Sequence, residues 1–264
     1  MKNIYVTILQ SDLIWEDKEA NLSNFKLKIA KLINKQDLIV LPEMFSTAFS
    51  MKPEEFAEKP LATTHLWMQE MSNISKSYIA GSYMVVENGK YFNRFIIMSP
   101  DGSFQKYDKR HLFRMGNEHH HFEAGSEELI FNIKNWKIKA LICYDLRFPV
   151  FAKNNYSNKS YDYDALLYVA NWPKVRNHIW ETLLQARALE NQAVVIAVNR
   201  IGDDGNGLAH AGSSCIIDAK GDFIIPPQQD VEFSATAKLD FDDLVNFRSK
   251  FTVGLDWDSF NIFK

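Results

Sequence analysis

Ile138-Lys139-Ala140-Leu141-Ile142-Cys143-Tyr144-Asp145-Leu146-Arg147-Phe148-Pro149 is the stretch on which the reading of this chain turns. Ile138 to Ile142 reads as a buried strand, ended by an abrupt change to polar residues and then a proline. A cysteine at that junction is carried by a rigid element and can be reached from a cleft. Ligand sites in α/β proteins lie outside the carboxyl ends of strands, so Cys143 stands where a nucleophile belongs. Seen alone, a buried cysteine is as readily inert core, and the rest of the chain has to decide.

Working outward, strands and helices alternate, which predicts a mixed α/β domain. Tyr5 to Gln10 reads as a first strand, and Leu22, Phe25, Ile29, Leu32 and Ile33 recur as one face of a helix. Asp37 to Leu41 is a short buried strand ended by Pro42. Leu66 to Ser75 fits a helix with Trp67, Met71 and Ile74 on one face. Tyr78 to Val86 and Tyr91 to Met98 flank Asn88-Gly89, a hairpin signal. Asp101-Gly102 turns the chain into Phe104 to Tyr107. Beyond the Cys143 segment come a short helix, a strand over Ala165 to Val169, and a helix from Ile179 to Asn191 whose inner face carries Trp180, Leu183, Leu184 and Ala188. Val194 to Val198 is another buried strand. Ser99-Pro100-Asp101-Gly102-Ser103-Phe104 is echoed by Asp218-Ala219-Lys220-Gly221-Asp222-Phe223. Two such turns suggest two β-layers related by approximate symmetry, although glycine turns also recur by chance. Asn154 to Tyr163 is polar and reads as a surface excursion.

The chain has 264 residues, a net charge of -3 and 46% hydrophobic residues. That length favours one large domain over two, spanning 1–264. Its last part, from about 241 to 264, is a tail rich in aromatic and other large apolar residues (Phe247, Phe251, Leu255, Trp257, Phe260, Phe263), which should pack on its own body or on a partner subunit. The charge leaves no basic footprint for nucleic acid. Cys143 and Cys215 are the only cysteines, which argues for a reducing, cytoplasmic compartment, with Cys215 as core packing. No run has the length of a signal-peptide core or a membrane span.

Three segments place a reactive side chain just beyond a strand. Glu43 follows Leu38-Ile39-Val40-Leu41-Pro42; Lys109 lies in Tyr107-Asp108-Lys109-Arg110-His111-Leu112-Phe113; the third is Leu141-Ile142-Cys143-Tyr144-Asp145. A carboxylate entering an apolar-walled cleft is partly desolvated, which suits a general base. As a bland alternative, Lys109 would be a solvated loop charge and Glu43 a helix N-terminal carboxylate. Neither alternative explains the shared strand-end placement.

In that order, these segments resemble the Glu-Lys-Cys triad of the nitrilase superfamily of carbon–nitrogen hydrolases. The resemblance extends through Asn171-Trp172-Pro173 and Ala186-Arg187-Ala188-Leu189-Glu190-Asn191-Gln192 and covers nearly the whole chain. Lys109 to Met115, Cys143 to Pro149 and Val169 to Pro173 look most like the bacterial ω-amidase, or 2-oxoglutaramate amidase, branch. The family implies a four-layer α-β-β-α sandwich with mixed sheets, a homodimer, no metal or organic cofactor, and hydrolysis of a small carboxamide through a thioester on Cys143. It implies a second glutamate between the lysine and the cysteine; Glu118 and Glu123 both fall there, and Glu118 fits the motif order better. Lys109 and the backbone N–H of Tyr144 would stabilise the oxyanion, and Lys109 would favour the thiolate of Cys143 while Glu43 takes its proton. Arg147 would receive the carboxylate of a 2-oxo acid, for which a guanidinium fork is suited, and Trp172 would wall the cleft.

Other readings remain at this level. Arg147 could instead pair internally with Asp145 or Glu181, and Trp172 could fill the core. His119-His120-His121 invites a metal, but adjacent histidines diverge and zinc prefers spaced ligands; a loop rim over the site fits better. Asp203-Asp204-Gly205-Asn206-Gly207 reads as a turn rather than a calcium loop. An N-carbamoyl amidohydrolase or a nitrilase would use the same triad. Outside the class stands a non-catalytic, binding or thiol-sensing protein, against which the intact Glu43, Lys109, Cys143 set argues.

Overall fold

The computed structural model describes residues 3–32 and 36–262; Ile33 and Phe263, assigned above to a helix face and the tail, lie outside them. The strands of two large sheets are, in chain order, β1 (Ile4–Gln10), β2 (Leu38–Val40), β3 (Tyr78–Glu87), β4 (Lys90–Met98), β5 (Phe104–Asp108), β6 (Ile130–Ile133), β7 (Trp136–Ile142), β8 (Ala165–Ala170), β9 (Val194–Asn199), β10 (Cys215–Ile217), β11 (Phe223–Ile225) and β12 (Phe233–Leu239). One sheet runs β12-β1-β2-β3-β4-β5 and the other β6-β7-β8-β9-β10-β11. In each, an antiparallel edge strand precedes three parallel strands and two antiparallel ones. The echo noted in the sequence therefore marks equivalent places: β4 turns into β5 and β10 into β11 with the same backbone bonds. Ser99 N–H donates to Ser103 O and Asp218 N–H to Asp222 O, both at 2.8 Å. Gly102 (φ +86°) and Gly221 (φ +89°) take left-handed conformations there, which a β-carbon would strain. Asn88 and Gly89, both at positive φ, close the β3–β4 hairpin as a primed turn.

Strand residues alternate between two cores because successive side chains point to opposite faces. Ile4, Val6, Ile8, Leu38, Val40 and Ala80 meet the second sheet, packing against residues such as Leu141, Leu167 and Ile196. Leu9, Ile39 and Ile79 face outward onto helices. Those helices are α1 (Lys18–Ala30), capped by Asp17, and α2 (Thr63–Ser75). On the far side, α3 (Asn177–Asn191) presents Trp180, Leu184 and Ala188 to the second sheet. The result is the α-β-β-α sandwich, with near-continuous apolar runs in strands covered on both faces.

Some details depart from the sequence reading. Ile74 is 64% exposed: the buried stripe of α2 passes through Met68, Met71 and Ser72, whose hydroxyl donates to Ser77 O and Met98 O. The segment Asn154 to Tyr163 forms a small ribbon, but its ends are anchored, with Asn154 and Tyr163 each 1% exposed. The tail packs on its own body through α4 (Phe241–Lys250), capped by Asp240. Arg248 donates to Asp164 Oδ1 (2.7 Å), Gln192 O (2.9 Å) and Tyr163 O (3.0 Å), and Trp257 lies edge-on to Tyr161. Beyond it Leu255, Phe260 and Ile262 remain exposed. No helix among the described residues is long and apolar enough to cross a membrane.

Arg248→Ala should lower the unfolding free energy by about 3 kcal/mol, because the Asp164 carboxylate is left buried without its cation. Urea unfolding checks it; a shift under about 0.5 kcal/mol would mean the tail is not held by this pair.

Candidate active site

Three strand ends converge between the sheets. Glu43 lies three residues beyond β2, after Pro42; Lys109 directly follows β5; Cys143 directly follows β7. All three are brought together, with Glu118. Lys109 Nζ donates to Glu43 Oε1 at 2.8 Å and sits 3.0 Å from Glu118 Oε2, and Lys109, Glu43 and Glu118 are completely buried. Glu123 is on the surface beside Lys90, so Glu118 is the glutamate that reaches the cluster.

Each carboxylate is held by further donors, as buried charges require. Glu43 Oε1 accepts from Asn93 Nδ2 (2.8 Å), and Oε2 from Asn171 N–H (2.8 Å). Glu118 Oε2 accepts from Phe113 N–H (2.6 Å), and Oε1 weakly from Asn93 Nδ2 (3.3 Å). Phe49 lays its ring 5.1 Å from the ammonium. Asn93 and Phe49 carried no sequence signal; each is an ordinary residue until the fold sets it beside a charge.

Cys143 has φ +43°, a left-handed conformation worth roughly 1 kcal/mol or more of strain for a residue with a β-carbon. Asp145 holds the segment in place. Its buried carboxylate accepts from Ile142 N–H (2.8 Å), Tyr107 hydroxyl (2.8 Å) and His111 Nδ1 (2.7 Å). The strand bearing Cys143 is thereby tied to both sides of Lys109. Sequence reasoning saw Asp145 only as a possible partner of Arg147.

The charges decide the state of the thiol. Burial opposes the Lys109 ammonium, but the Glu118 and Glu43 carboxylates outweigh it and hold its pKa above the ordinary lysine value. Burial, opposed by Lys109 and aided by Glu43, raises the Glu118 carboxyl. Burial and then the Glu43 carboxylate push Cys143 well up, and the Lys109 ammonium does not overcome them. Lys109 thus favours the thiolate, as expected, but burial and Glu43 outweigh it. Ionising the thiol would add a second net negative charge to a buried cluster. Moving its proton to Glu43 adds none.

A cavity of about 160 Å³ opens onto Cys143 and Lys109 and is lined by Tyr144, Arg147, Trp172 and Arg176. Arg147 pairs with neither Asp145 nor Glu181: Asp145 is occupied as above, and Glu181 accepts from Asn177 and Ser213. Its guanidinium lies 5.1 Å from the Trp172 ring centroid. Trp172 is 3% exposed, so it both fills the core and walls the cavity. Tyr144, in the short helical turn Cys143–Arg147, packs edge-on against Phe113 and Phe148. The Asp204 turn also lines the cavity, which its sequence did not signal. His119, His120 and His121 do not line it, contrary to the rim expected. Among the described residues no cluster of three or more His, Cys, Asp or Glu is placed to hold a metal.

A thiol beside a buried carboxylate suits attack on an acyl carbon, and the chain is an amide-hydrolysing enzyme. It belongs to the carbon–nitrogen hydrolase family, whose model matches residues 5–249. The chain is 42% identical to Omega-amidase YafV of Yersinia enterocolitica, over 98% of this chain and 99% of that one. It is 32% identical to the 2-oxoglutaramate amidase of Bacillus subtilis, over 82% and 83%. A crystal structure of a CN-hydrolase superfamily protein from Xanthomonas campestris, with an arsenic adduct in its active site, superposes with a TM-score of 0.96 at 38% identity, covering 99% of this chain and 100% of that one.

Glu43→Gln should separate nucleophile from base. Amide turnover should fall by about 10²- to 10⁴-fold, while the pH midpoint of Cys143 alkylation by iodoacetamide moves down, because the carboxylate that opposes the thiolate is gone. A midpoint unchanged or raised in the variant would contradict the charge argument.

Proposed function

We propose that the chain hydrolyses the ω-amide of a short 2-oxo acid, 2-oxoglutaramate or a close analogue, to the acid and ammonia. The observation that carries this reading is Arg147, a guanidinium on the wall of the Cys143 cavity with no ion-pair partner among the described residues. The names of the full-length relatives, ω-amidase and 2-oxoglutaramate amidase, support it.

In this reading Arg147 binds the substrate carboxylate through paired hydrogen bonds and turns the distal amide toward Cys143. Trp172 and Tyr144 wall the chain between the two ends. Glu43 takes the Sγ proton as sulfur attacks the carbonyl carbon. The Lys109 ammonium and the N–H of Tyr144, at the free amino end of its helical turn, stabilise the oxyanion. The C–N bond breaks as Glu43 returns the proton to the departing ammonia. Glu43 then deprotonates a water that attacks the thioester, releasing the acid and the thiol. Glu118, fixed by Phe113 N–H, holds Lys109 in position. No metal or organic cofactor enters these steps.

We further propose one domain acting as a cytoplasmic homodimer, with neither nucleic acid nor membrane as a partner. Two free cysteines suit a reducing compartment, and the exposed Leu255, Phe260 and Ile262 are the apolar surface a second subunit would cover.

Ammonia release should be fastest from 2-oxoglutaramate and far slower from N-carbamoyl amino acids and simple nitriles. Mass spectrometry after brief exposure to 2-oxoglutaramate should find one acyl group on Cys143, and Cys143→Ala should lose more than about 10³-fold of the rate. If 2-oxo-acid amides were the poorest substrates, the substrate assignment would be withdrawn. An active Cys143→Ala variant would remove the catalytic one.

A further inference from the structure

Four of the eight arginines hold a carboxylate. Arg94, Arg187, Arg200 and Arg248, all buried, each reach a carboxylate within 2.9 Å. Arg147 and Arg176 are the two that line the Cys143 cavity: both are half-buried, and neither has an ion-pair partner among the described residues. Arg176 closes the short turn Lys174–Arg176 that leads into α3. Its guanidinium lies 5.4 Å from the Phe113 ring centroid, as that of Arg147 lies against Trp172. The same indole connects the two, since Trp172 Nε1 donates to Arg176 O at 2.9 Å. Each cation thus has an aromatic shelf that limits its freedom and leaves its N–H fork unused.

Among the described residues no carboxylate forms an ion pair with either arginine. Lys109 is taken up by Glu43 and Glu118. Asp204 lines the cavity, but its Oδ1 accepts from Asn206 and Leu208 N–H groups and the residue forms no ion pair with either arginine. His210, also on the wall, is pushed down to about 4 by burial and by Arg200, so it is neutral near pH 7. Burial and then the charge of Arg147 lower the pKa of Arg176, so the two cations oppose one another in a partly desolvated space. An anion between them would relieve that repulsion.

We propose that Arg176 is a second substrate-binding residue that closes with Arg147 on the 2-oxo-acid end of the substrate and sets the preference for it. The proposal rests on the ω-amidase reading and extends it. A plain carboxylate satisfies one guanidinium fork. A 2-oxo acid presents three oxygens on adjacent carbons, enough for one fork on the carboxylate and a second on the carboxylate edge and the ketone. Two arginines therefore select an anionic, oxo-bearing end over an apolar one. The amide end is neutral and meets Cys143 and Lys109, the latter already held by Glu43 and Glu118.

The test compares 2-oxoglutaramate with neutral pentanamide, of the same chain length, in the wild type, Arg176→Gln and Arg176→Lys. The ratio of kcat/KM for the two substrates should fall about 10- to 100-fold in Arg176→Gln, the loss expected for one charged hydrogen-bond partner, and mainly through KM for 2-oxoglutaramate. Arg176→Lys keeps the charge without the fork and should recover part of the ratio. A ratio within threefold of wild type in Arg176→Gln would overturn the role of Arg176 and leave the ω-amidase reading standing. Equal loss on both substrates would overturn it too, since a merely structural residue behaves so. A wild type that does not prefer 2-oxoglutaramate over pentanamide would instead defeat the ω-amidase reading itself.

Discussion

The Lys109 ammonium between two buried carboxylates is the constraint on which the site depends. Moving charged groups out of water costs several kcal/mol per ion even after relaxation. Glu43 and Glu118 are tolerable side by side only because Lys109 stands within 3.1 Å of both. The remaining lone pairs are met by Asn93, Asn171 and Phe113. A cluster like this gives little net stability, and replacing it with apolar side chains would often stabilise a core. Its worth lies in fixing one carboxylate beside one thiol, with no freedom to rotate away.

That arrangement also explains why the nucleophile rests as a thiol. One ammonium facing two carboxylates is already net negative, and burial resists any further charge. In the proposed mechanism, attack coupled to proton transfer onto Glu43 shifts negative charge from Glu43 through sulfur to the carbonyl oxygen without increasing the total. The resting thiol is thereby kept from adventitious oxidation and alkylation, which act on thiolate. The strained φ of Cys143 is held by Asp145, whose bonds to Ile142, Tyr107 and His111 make the geometry of the Lys109 loop and of the Cys143 turn a single problem.

What the sequence made legible followed from local pattern. Apolar runs ending in a polar residue marked β2 and β7, and the Asp101-Gly102 turn marked β5, so Glu43, Lys109 and Cys143 could be read as strand-end groups. The turn echo at Gly102 and Gly221 announced two equivalent sheets. Residues whose role exists only in three dimensions were silent. Asn93 lies in mid-strand between Phe92 and Arg94, and nothing local says that its amide faces two carboxylates. Asp145 was seen as a partner for Arg147, its near neighbour in sequence, whereas beside Ile142 its partners are Tyr107 and His111, at the β5 end of the other sheet. Ile74 failed for the converse reason: helical periodicity gives a stripe, but the packing sheet chooses its centre. The protonation of Cys143 was half legible: Lys109 and Glu43 could be read as opposing charges, but not the burial that outweighs the cation.

The two-sheet symmetry gives the site its economy. β2 in one sheet corresponds to β8 in the other, and the residues just beyond them, Glu43 and Asn171, grip each other. Asn171 N–H donates to the Glu43 carboxylate, and the Asn171 amide donates to the Glu43 backbone carbonyl. Two equivalent strand ends thus close over the space between the sheets, one delivering the base and the other carrying Trp172 into the cavity wall. β7, the neighbour of β8, supplies the thiol in the same layer. Reaction chemistry is therefore borne on strand ends that both cores hold rigid. In the proposed reading, the groups that would face the 2-oxo-acid end of the substrate come from the turns that follow, Arg147 after Cys143 and Arg176 after Trp172. A turn can change its side chains without disturbing either sheet, so in this reading the amide chemistry is bound to the fold while the choice of amide is carried by a few positions grafted onto it.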